Sequence, residues 1–204
     1  AMRRIFGTHT YEKNCLYLDS ASILTLSIGE KQPVVTKYWT ADYSTLAPRG
    51  RKLINAISKS LSNTLKLHLS DDPKQRYGLF LSGGLDARAV LAASVVQEAR
   101  PPVSITTCLN KNNEFYVAEE VALKANAEHY FIPRPIDIYE GNLDSSVRMC
   151  SGMQSFVECQ FLEYGSHLPV PVDTMMMGLF LDIFFAGLYL PKEPVKFFGR
   201  NALH

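Results

Sequence analysis

The stretch from Tyr77 to Ala93 constrains the fold of this chain more than any other. It begins with an apolar run bounded by Gly78, which has the length and composition of a strand buried on both faces. A Ser-Gly-Gly turn at residues 82–84 interrupts this run, and a helical pattern follows. Two adjacent glycines allow positive φ angles and a close approach of the backbone to a ligand. The sequence therefore predicts a strand, a tight turn and the N-terminus of a helix.

A turn in this position can bind an anion. The N–H groups of the first helical turn and the helix dipole direct partial positive charge into it. The Ser82 hydroxyl can add a donor, and the Asp86 carboxylate can bind a divalent cation that neutralises phosphates. The alternative is a turn that only connects a core strand to a core helix, since short glycine motifs often occur without a ligand. Both interpretations stay open on these residues alone.

The residues of this turn resemble a known signature, the pyrophosphate loop of the asparagine synthetase family. The resemblance rests on Ser82, Gly83, Gly84, Leu85, Asp86 and Arg88. Members of this family activate a carboxylate as an acyl-adenylate. The lysine and spacing of the Walker P-loop are absent. The family usually has serine where this chain has Ala87, so one hydroxyl contact to phosphate is missing.

The resemblance implies an α/β fold, a doubly wound parallel sheet of the adenine-nucleotide alpha hydrolase type, preceded by a short antiparallel β segment. Residues 1–40 would correspond to the end of a glutaminase domain. Residues 41–204 would form the ATP-pyrophosphatase domain, incomplete at its C-terminus. The implied ligands are ATP and Mg²⁺, and no catalytic residue is recognisable. The residues implied for ATP are Leu81, Ser82, Gly83, Gly84, Asp86, Thr107 and Gly178, and those implied for the metal are Asp86 and Asp182.

Hydrophobic patterns predict the elements around this turn. Residues 3–40 contain β-type runs separated by a polar turn, which is typical of a small antiparallel meander. Apolar residues at three- and four-residue steps from Arg51 to Leu69 predict an amphipathic helix. The run from Val103 to Leu109 predicts a parallel neighbour of the first strand. Ligands bind beyond the carboxyl ends of such strands, which are the turn and the end of this second run.

The region after the second strand has weaker patterns. It predicts a helix over Glu114–Ala125, a third strand over Tyr130–Ile132 and one or two helices within residues 137–168. His129, at the start of the third strand, is interpreted as a structural hydrogen-bonding residue. The family resemblance places three residues near an adenine, although they can equally be ordinary strand residues: Thr106, Thr107 and Leu109.

A second motif follows a predicted fourth strand over Val172–Met177. Asp182 lies in an apolar run, where burial of its charge costs several kcal/mol unless it meets a cation or strong donors. The alternative is an acid that caps a helix. The stretch also resembles the second metal motif of the family. It matches at Gly178, Asp182, Phe185 and Gly187 and departs at Leu179, Phe180 and Ile183.

The net charge of +1 and the pI near 7.9 create no field that favours nucleic acid or an anionic membrane as a partner. The four cysteines form no Cys-x-x-Cys pair or zinc pattern, and no signal peptide is recognisable. These features predict a cytoplasmic protein with reduced cysteines. The apolar run from Thr174 to Leu190 is interrupted by Asp182, which favours a buried strand and helix over a membrane span.

The sequence thus predicts an asparagine synthetase-like ligase domain that forms amide bonds with release of AMP and pyrophosphate. The substrate would be a small-molecule or peptide carboxylate, and a separate glutaminase domain or a second copy would be a partner. The alternative is a catalytically degenerate nucleotide-binding or interaction module, which Ala87, Leu179 and Ile183 favour. A tRNA-modifying ATP pyrophosphatase would predict additional cysteine pairs or a basic face, which the sequence lacks.

Overall fold

A computed structural model of the chain describes residues 7–42, 48–69, 72, 74–96, 101–153, 162, 168–179, 181, 194–197 and 200–203. The chain divides into two compact units, residues 1–56 with 135–166 and residues 57–134 with 167–204. This division does not test the predicted boundary after residue 40, which stays a prediction. Among the described residues, no helix is both long and apolar enough to cross a membrane.

The described elements, in chain order, are β1 (Ser22–Thr25), β2 (Val34–Lys37), α1 (Arg51–His68), β3 (Tyr77–Phe80), α2 (Leu85–Val96), β4 (Val103–Cys108), α3 (Asn113–Lys124), β5 (His129–Pro133), α4 (Ile138–Gly141), α5 (Leu143–Met149), β6 (Thr174–Met177), β7 (Pro194–Phe197) and β8 (Arg200–Leu203). Strands β7 and β8 pair in antiparallel fashion.

The antiparallel β segment near the N-terminus is confirmed, as a hairpin shorter than the predicted runs. Strands β1 and β2 pair from Ser22 opposite Lys37 to Thr25 opposite Val34. Residues 15–18 are one of the predicted β-type runs within residues 3–40. In the structure they form no strand, and Leu16 makes an isolated antiparallel bridge with His9. In a two-stranded ribbon, residues beyond the paired ones have no further strand with which to form hydrogen bonds. They therefore do not become strand residues, even where their β propensity is high.

The second unit contains a four-stranded parallel sheet in the order β5-β4-β3-β6. Along the chain these are the third, second, first and fourth strands of the sheet, so the strand order reverses between β3 and β6. Such a reversal is the topological switch point of a doubly wound fold, where ligands bind outside the carboxyl ends of the strands. The predicted fold class and all four predicted strands are confirmed.

The core of this unit surrounds β3, whose apolar residues are covered by three helices. Leu79 of β3 and the adjoining Leu81 are almost completely buried. Leu65 of α1 packs in the same cluster, so the predicted apolar face of that helix is buried toward its C-terminal end, whereas Ile54 near its start is 66% exposed. The remaining buried members of the cluster are Leu69, Ala87, Val90, Leu91, Ala118 and Ala122. Burial of such side chains is the main stabilising term for the sheet that positions the turn.

Two residues connect the starts of β3 and β6. The backbone N–H of Arg76 donates to Asp173 Oδ2 at 2.8 Å. The backbone N–H of Asp173 donates to the Arg76 carbonyl, also at 2.8 Å. A guanidinium nitrogen of Arg76 also lies 3.4 Å from the Glu128 carboxylate, just before β5. Because Glu128 is half exposed, this ion pair contributes little to stability compared with the two hydrogen bonds between Arg76 and Asp173.

We expect Asp173→Ala to lower the free energy of unfolding by about 1 kcal/mol, because it removes the acceptor for the Arg76 N–H. Asp173→Asn is the matched control, since an amide oxygen can accept the same hydrogen bond. Urea unfolding followed by circular dichroism measures both variants. Equal stability of the two variants would show that the bond to Arg76 N does not hold the strands together.

Candidate functional site

The turn at residues 82–84 lies at the carboxyl end of β3, beside the switch point. The ladder between β3 and β4 ends at the Phe80–Ile105 pair. One more backbone bond follows it, in which the Leu81 N–H donates to the Ile105 carbonyl at 2.8 Å. The Leu81 side chain is buried and its N–H is already bonded, so contact of Leu81 with ATP stays a prediction. Helix α2 begins at Leu85, so the turn opens on a helix N-terminus as predicted.

The Ser82 side chain makes a hydrogen bond within the turn. Its Oγ accepts a hydrogen bond from the Gly84 N–H at 3.2 Å. A hydroxyl that accepts through its oxygen can still donate its hydrogen. Ser82 can therefore donate to an anion in front of the turn while it holds Gly84 in place.

The predicted positive φ angles of the paired glycines are wrong. Neither Gly83 nor Gly84 is among the residues with positive φ. A Cβ on Gly83 would lie 3.4 Å from both the Cα and the carbonyl oxygen of Glu114, close to an ordinary van der Waals contact, so the first turn of α3 lies directly beside the turn. The predicted close approach of the two glycines to a ligand stays a prediction.

Gly178, which follows β6, makes an even closer approach to the start of α2. A Cβ atom on Gly178 would lie 2.7 Å from the Ala87 nitrogen and 2.9 Å from Asp86 Cβ. No side chain fits there without a backbone shift. The structure therefore brings two predicted site residues, Gly178 and Asp86, together across the switch point, although they lie far apart in the sequence.

Of the two acids predicted to bind a metal, Asp86 lies among the described residues. Asp86 is partly buried in the first turn of α2. Asp182 lies outside the described residues, and so do Phe185 and Gly187 of the second motif. Within the described part of the chain, no group of three or more His, Cys, Asp or Glu residues is arranged to hold a metal ion. The pairing of Asp86 with Asp182 stays a prediction.

The three residues expected near an adenine have different environments. Thr107 is partly exposed at the end of β4, and Leu109, just beyond it, is 47% exposed. Thr106 is only 2% exposed, and its hydroxyl donates to the Leu81 carbonyl at 2.6 Å. Thr106 therefore holds the strand before the turn, whereas contact of Thr107 with a base stays a prediction.

Arg88 places a cation against the turn. Its Nε donates to the Gly84 carbonyl at 3.2 Å, so the side chain runs back toward the helix N-terminus. A cation in this position adds to the positive end of the helix dipole, which favours a bound anion. The signature included Arg88, but the sequence did not indicate this direction of its side chain.

His129 makes the hydrogen bonds that a structural role predicts. Its Nδ1 lies 2.8 Å from the Ser104 hydroxyl. Ser104 donates its own hydrogen to the Glu128 carbonyl at 2.9 Å, which assigns the imidazole hydrogen to Nδ1. Burial lowers the pKa of His129, and the positive charge of Lys111 lowers it further, whereas Glu119 opposes the shift. The imidazole is accordingly neutral at pH 7.

We expect the protein to lose stability as the pH falls below about 6.5, the ordinary pKa of histidine. Because the pKa of His129 is lowered in the folded state, the unfolded chain binds a proton there first, so acid favours unfolding. Urea unfolding at pH 7.5 and at pH 5.5 measures the loss. His129→Gln should reduce the difference in the free energy of unfolding between pH 7.5 and pH 5.5. If this difference is unchanged, groups other than His129 cause the loss of stability.

We expect Gly178→Ala to destabilise the protein by about 1 to 3 kcal/mol, because the added methyl group collides with backbone atoms of α2. Gly141→Ala is the control, since a Cβ at Gly141 in α4 meets nothing within 4 Å. Alanine at that helical position should be neutral or slightly stabilising. Urea unfolding of both variants tests the contact, and a neutral Gly178→Ala would contradict it.

The fold and the site together define an α/β domain with a glycine turn and a helix N-terminus at its switch point. Residues 56–153 match the asparagine synthase family. This match confirms the resemblance that the pyrophosphate-loop signature indicated. The matched segment is slightly less than half of the chain and runs from α1 to just beyond α5.

Two solved structures of synthetases are similar to parts of the chain. NMN synthetase from Francisella tularensis is 25% identical with a TM-score of 0.36, over 46% of this chain and 40% of that protein. NH3-dependent NAD synthetase from Campylobacter jejuni subsp. jejuni, in complex with nitrate, is 16% identical with a TM-score of 0.37, over 50% of this chain and 53% of that protein. The chain thus spans about half the length of these proteins or less. No curated protein matches the sequence significantly.

Proposed function

We propose that this chain binds ATP with Mg²⁺ and activates a carboxylate as an acyl-adenylate for amide-bond formation. The observation that carries the proposal is the turn at residues 82–84, which opens on the N-terminus of α2 at the switch point. It lies inside the segment that matches the asparagine synthase family. The match supports this activity over the many other functions that a doubly wound fold can host.

Each residue of the turn has a role in this proposal. The Ser82 hydroxyl and the N–H groups at the start of α2 donate to the phosphates. Gly83 lies beside the first turn of α3, and the Arg88 guanidinium adds positive charge beside the Gly84 carbonyl. The site therefore concentrates hydrogen-bond donors and positive charge on a leaving pyrophosphate.

Asp86 has the chemistry to hold Mg²⁺, because carboxylate oxygens are the ligands that this ion prefers. The sequence adds Asp182 as its partner, beyond the Gly178 segment that packs on Asp86. When bound, Mg²⁺ neutralises charge on the phosphates. The contribution of the described part of the chain is to hold the Asp86 carboxylate in the first turn of α2.

In the proposed reaction a carboxylate oxygen attacks the α-phosphorus of ATP, and pyrophosphate leaves. An amine then attacks the acyl carbon, and AMP leaves. The acid is aspartate, a β-amino acid or a peptide carboxylate, and the amine comes from a substrate or from ammonia made by a separate glutaminase domain. We further propose that the protein acts in the cytoplasm.

A nucleotide-binding module without ligase activity is the second candidate. Ala87 stands where the family usually has serine, and it is only 4% exposed in the core cluster. Its side chain offers no hydroxyl to a phosphate. This candidate predicts binding of ATP without cleavage.

Calorimetric titration with ATP, with and without Mg²⁺, tests the site. We expect Mg²⁺-dependent binding that weakens at least tenfold in Asp86→Ala and in Asp182→Ala, because each loses a charged ligand. Asp144→Ala is the matched control, since Asp144 is an exposed acid in the first turn of α5. It should bind like the parent chain. A folded parent chain that does not bind ATP with Mg²⁺ would contradict the proposal.

Release of pyrophosphate distinguishes the two candidates. The chain is incubated with Mg²⁺ and ATP, a panel of amino acids and carboxylates, and ammonia. Acid-dependent release of AMP and pyrophosphate supports the ligase, whereas binding without release across the panel supports the module. Asp86→Ala serves as the inactive control.

A further inference from the structure

We propose that Thr106 is a positioning residue for the turn at residues 82–84. Its buried hydroxyl fixes the Leu81 carbonyl and thereby sets the direction of the first N–H group that faces a ligand. This inference rests on the proposed nucleotide site, and it adds a residue on a different strand to the pyrophosphate-binding turn.

The bond from Thr106 acts on the peptide group that begins the turn. The Thr106 hydroxyl donates to the Leu81 carbonyl at 2.6 Å, and both residues are nearly inaccessible to water. A peptide group is planar and trans, so the Leu81 carbonyl and the Ser82 N–H point in opposite directions from one rigid plane. When Thr106 fixes the carbonyl, it also fixes the direction of the Ser82 N–H.

Thr106 acts where regular strand pairing ends. The paired ladder stops at Phe80 and Ile105, and the Leu81 N–H makes one more bond to the Ile105 carbonyl. The Thr106 hydroxyl then donates to the carbonyl of Leu81 itself. Both peptide groups of Leu81 are therefore held by β4, whereas the glycines that follow carry no side chain to restrain them.

The opposite end of the turn is held in a similar way. The Arg88 Nε donates to the Gly84 carbonyl, and the Ser82 Oγ accepts from the Gly84 N–H. Thr106 and Arg88 thus fix the two flanking carbonyls. Between them, the turn presents its donors in one arrangement, which reduces the ordering cost of binding.

The surroundings of Thr106 favour this geometry. Threonine is restricted at χ1 by its branched Cβ, so a buried hydroxyl keeps one direction. His129 Nε2 lies 3.4 Å from the Thr106 Oγ1, beyond a strong hydrogen bond, while Ser104 holds the other ring nitrogen at 2.8 Å. The single Thr106 hydrogen is therefore committed to Leu81.

The variant Thr106→Val tests the inference, because valine has the shape of threonine without the hydroxyl. Hydrogen exchange of the Leu81 backbone amide, without ligand, should become about tenfold faster, because this N–H is bonded to the Ile105 carbonyl and the end of the strand opens more readily once the buried Leu81 carbonyl loses its partner. Affinity for ATP with Mg²⁺ should fall by a similar factor. Thr106→Ser, which keeps the hydroxyl, should restore most of both quantities.

Ser94→Ala is the matched control. Ser94 is fully buried in α2 and donates to the Val90 carbonyl at 2.9 Å, so this variant also loses one buried hydroxyl bond. That bond lies within a helix rather than at the turn. Ser94→Ala should leave both the exchange at Leu81 and the affinity for ATP unchanged.

Unchanged exchange at Leu81 in folded Thr106→Val overturns the inference. Faster exchange with unchanged ATP affinity also overturns it, since the hydroxyl would then not position donors for the ligand. If the parent chain binds no ATP, the proposed function fails, and the exchange at Leu81 alone decides the role of Thr106. If Thr106→Val does not fold, the hydroxyl proton of the parent chain decides it by NMR: rapid exchange with water overturns the inference, and a slow, resolved signal supports it.

Discussion

The close packing of the Gly178 segment on the first turn of α2 is the contact on which the site depends. It is possible only because Gly178 has no side chain, as a Cβ would lie 2.7 Å from the Ala87 nitrogen. The contact joins the end of β6 to the helix that follows β3, across the position where the strand order reverses. The same position is the crevice at which doubly wound folds bind ligands. The absence of a side chain at Gly178 thus allows the end of β6 to pack against the helix that begins the candidate site.

Charge explains why this crevice suits a phosphate. The N-terminus of α2 already carries partial positive charge, and Arg88 returns along the helix to place its guanidinium beside the Gly84 carbonyl. An arrangement of positive groups alone is unfavourable until an anion arrives. Asp86 supplies the opposite charge in the same turn, which is the condition for binding a phosphate together with a divalent cation.

Most of the fold was predictable from the sequence, because its signals are local. Short apolar runs predicted the parallel strands, and periodicity predicted α1 and α3. The site was less predictable because its determinants are contacts between distant residues. The need for glycine at position 178 depends on the position of Ala87, and burial of Thr106 rather than Thr107 depends on which face of β4 meets the core. Alternation along a strand separates the two threonines but does not identify the inward one.

The difference between binding and catalysis follows from what this part of the fold can supply. Groups that bind a phosphate equally well in the ground state and in the transition state do not accelerate a reaction. Under the proposed function, acceleration requires groups that meet the charge developing on the leaving pyrophosphate, and the candidates in this chain are Ser82, Arg88 and a metal held by Asp86. The buried Ala87 offers no hydroxyl to that set. Because Thr106 and Arg88 bond to the two carbonyls that flank the turn, the fixed directions of the remaining donors can offset this loss in the proposed reaction.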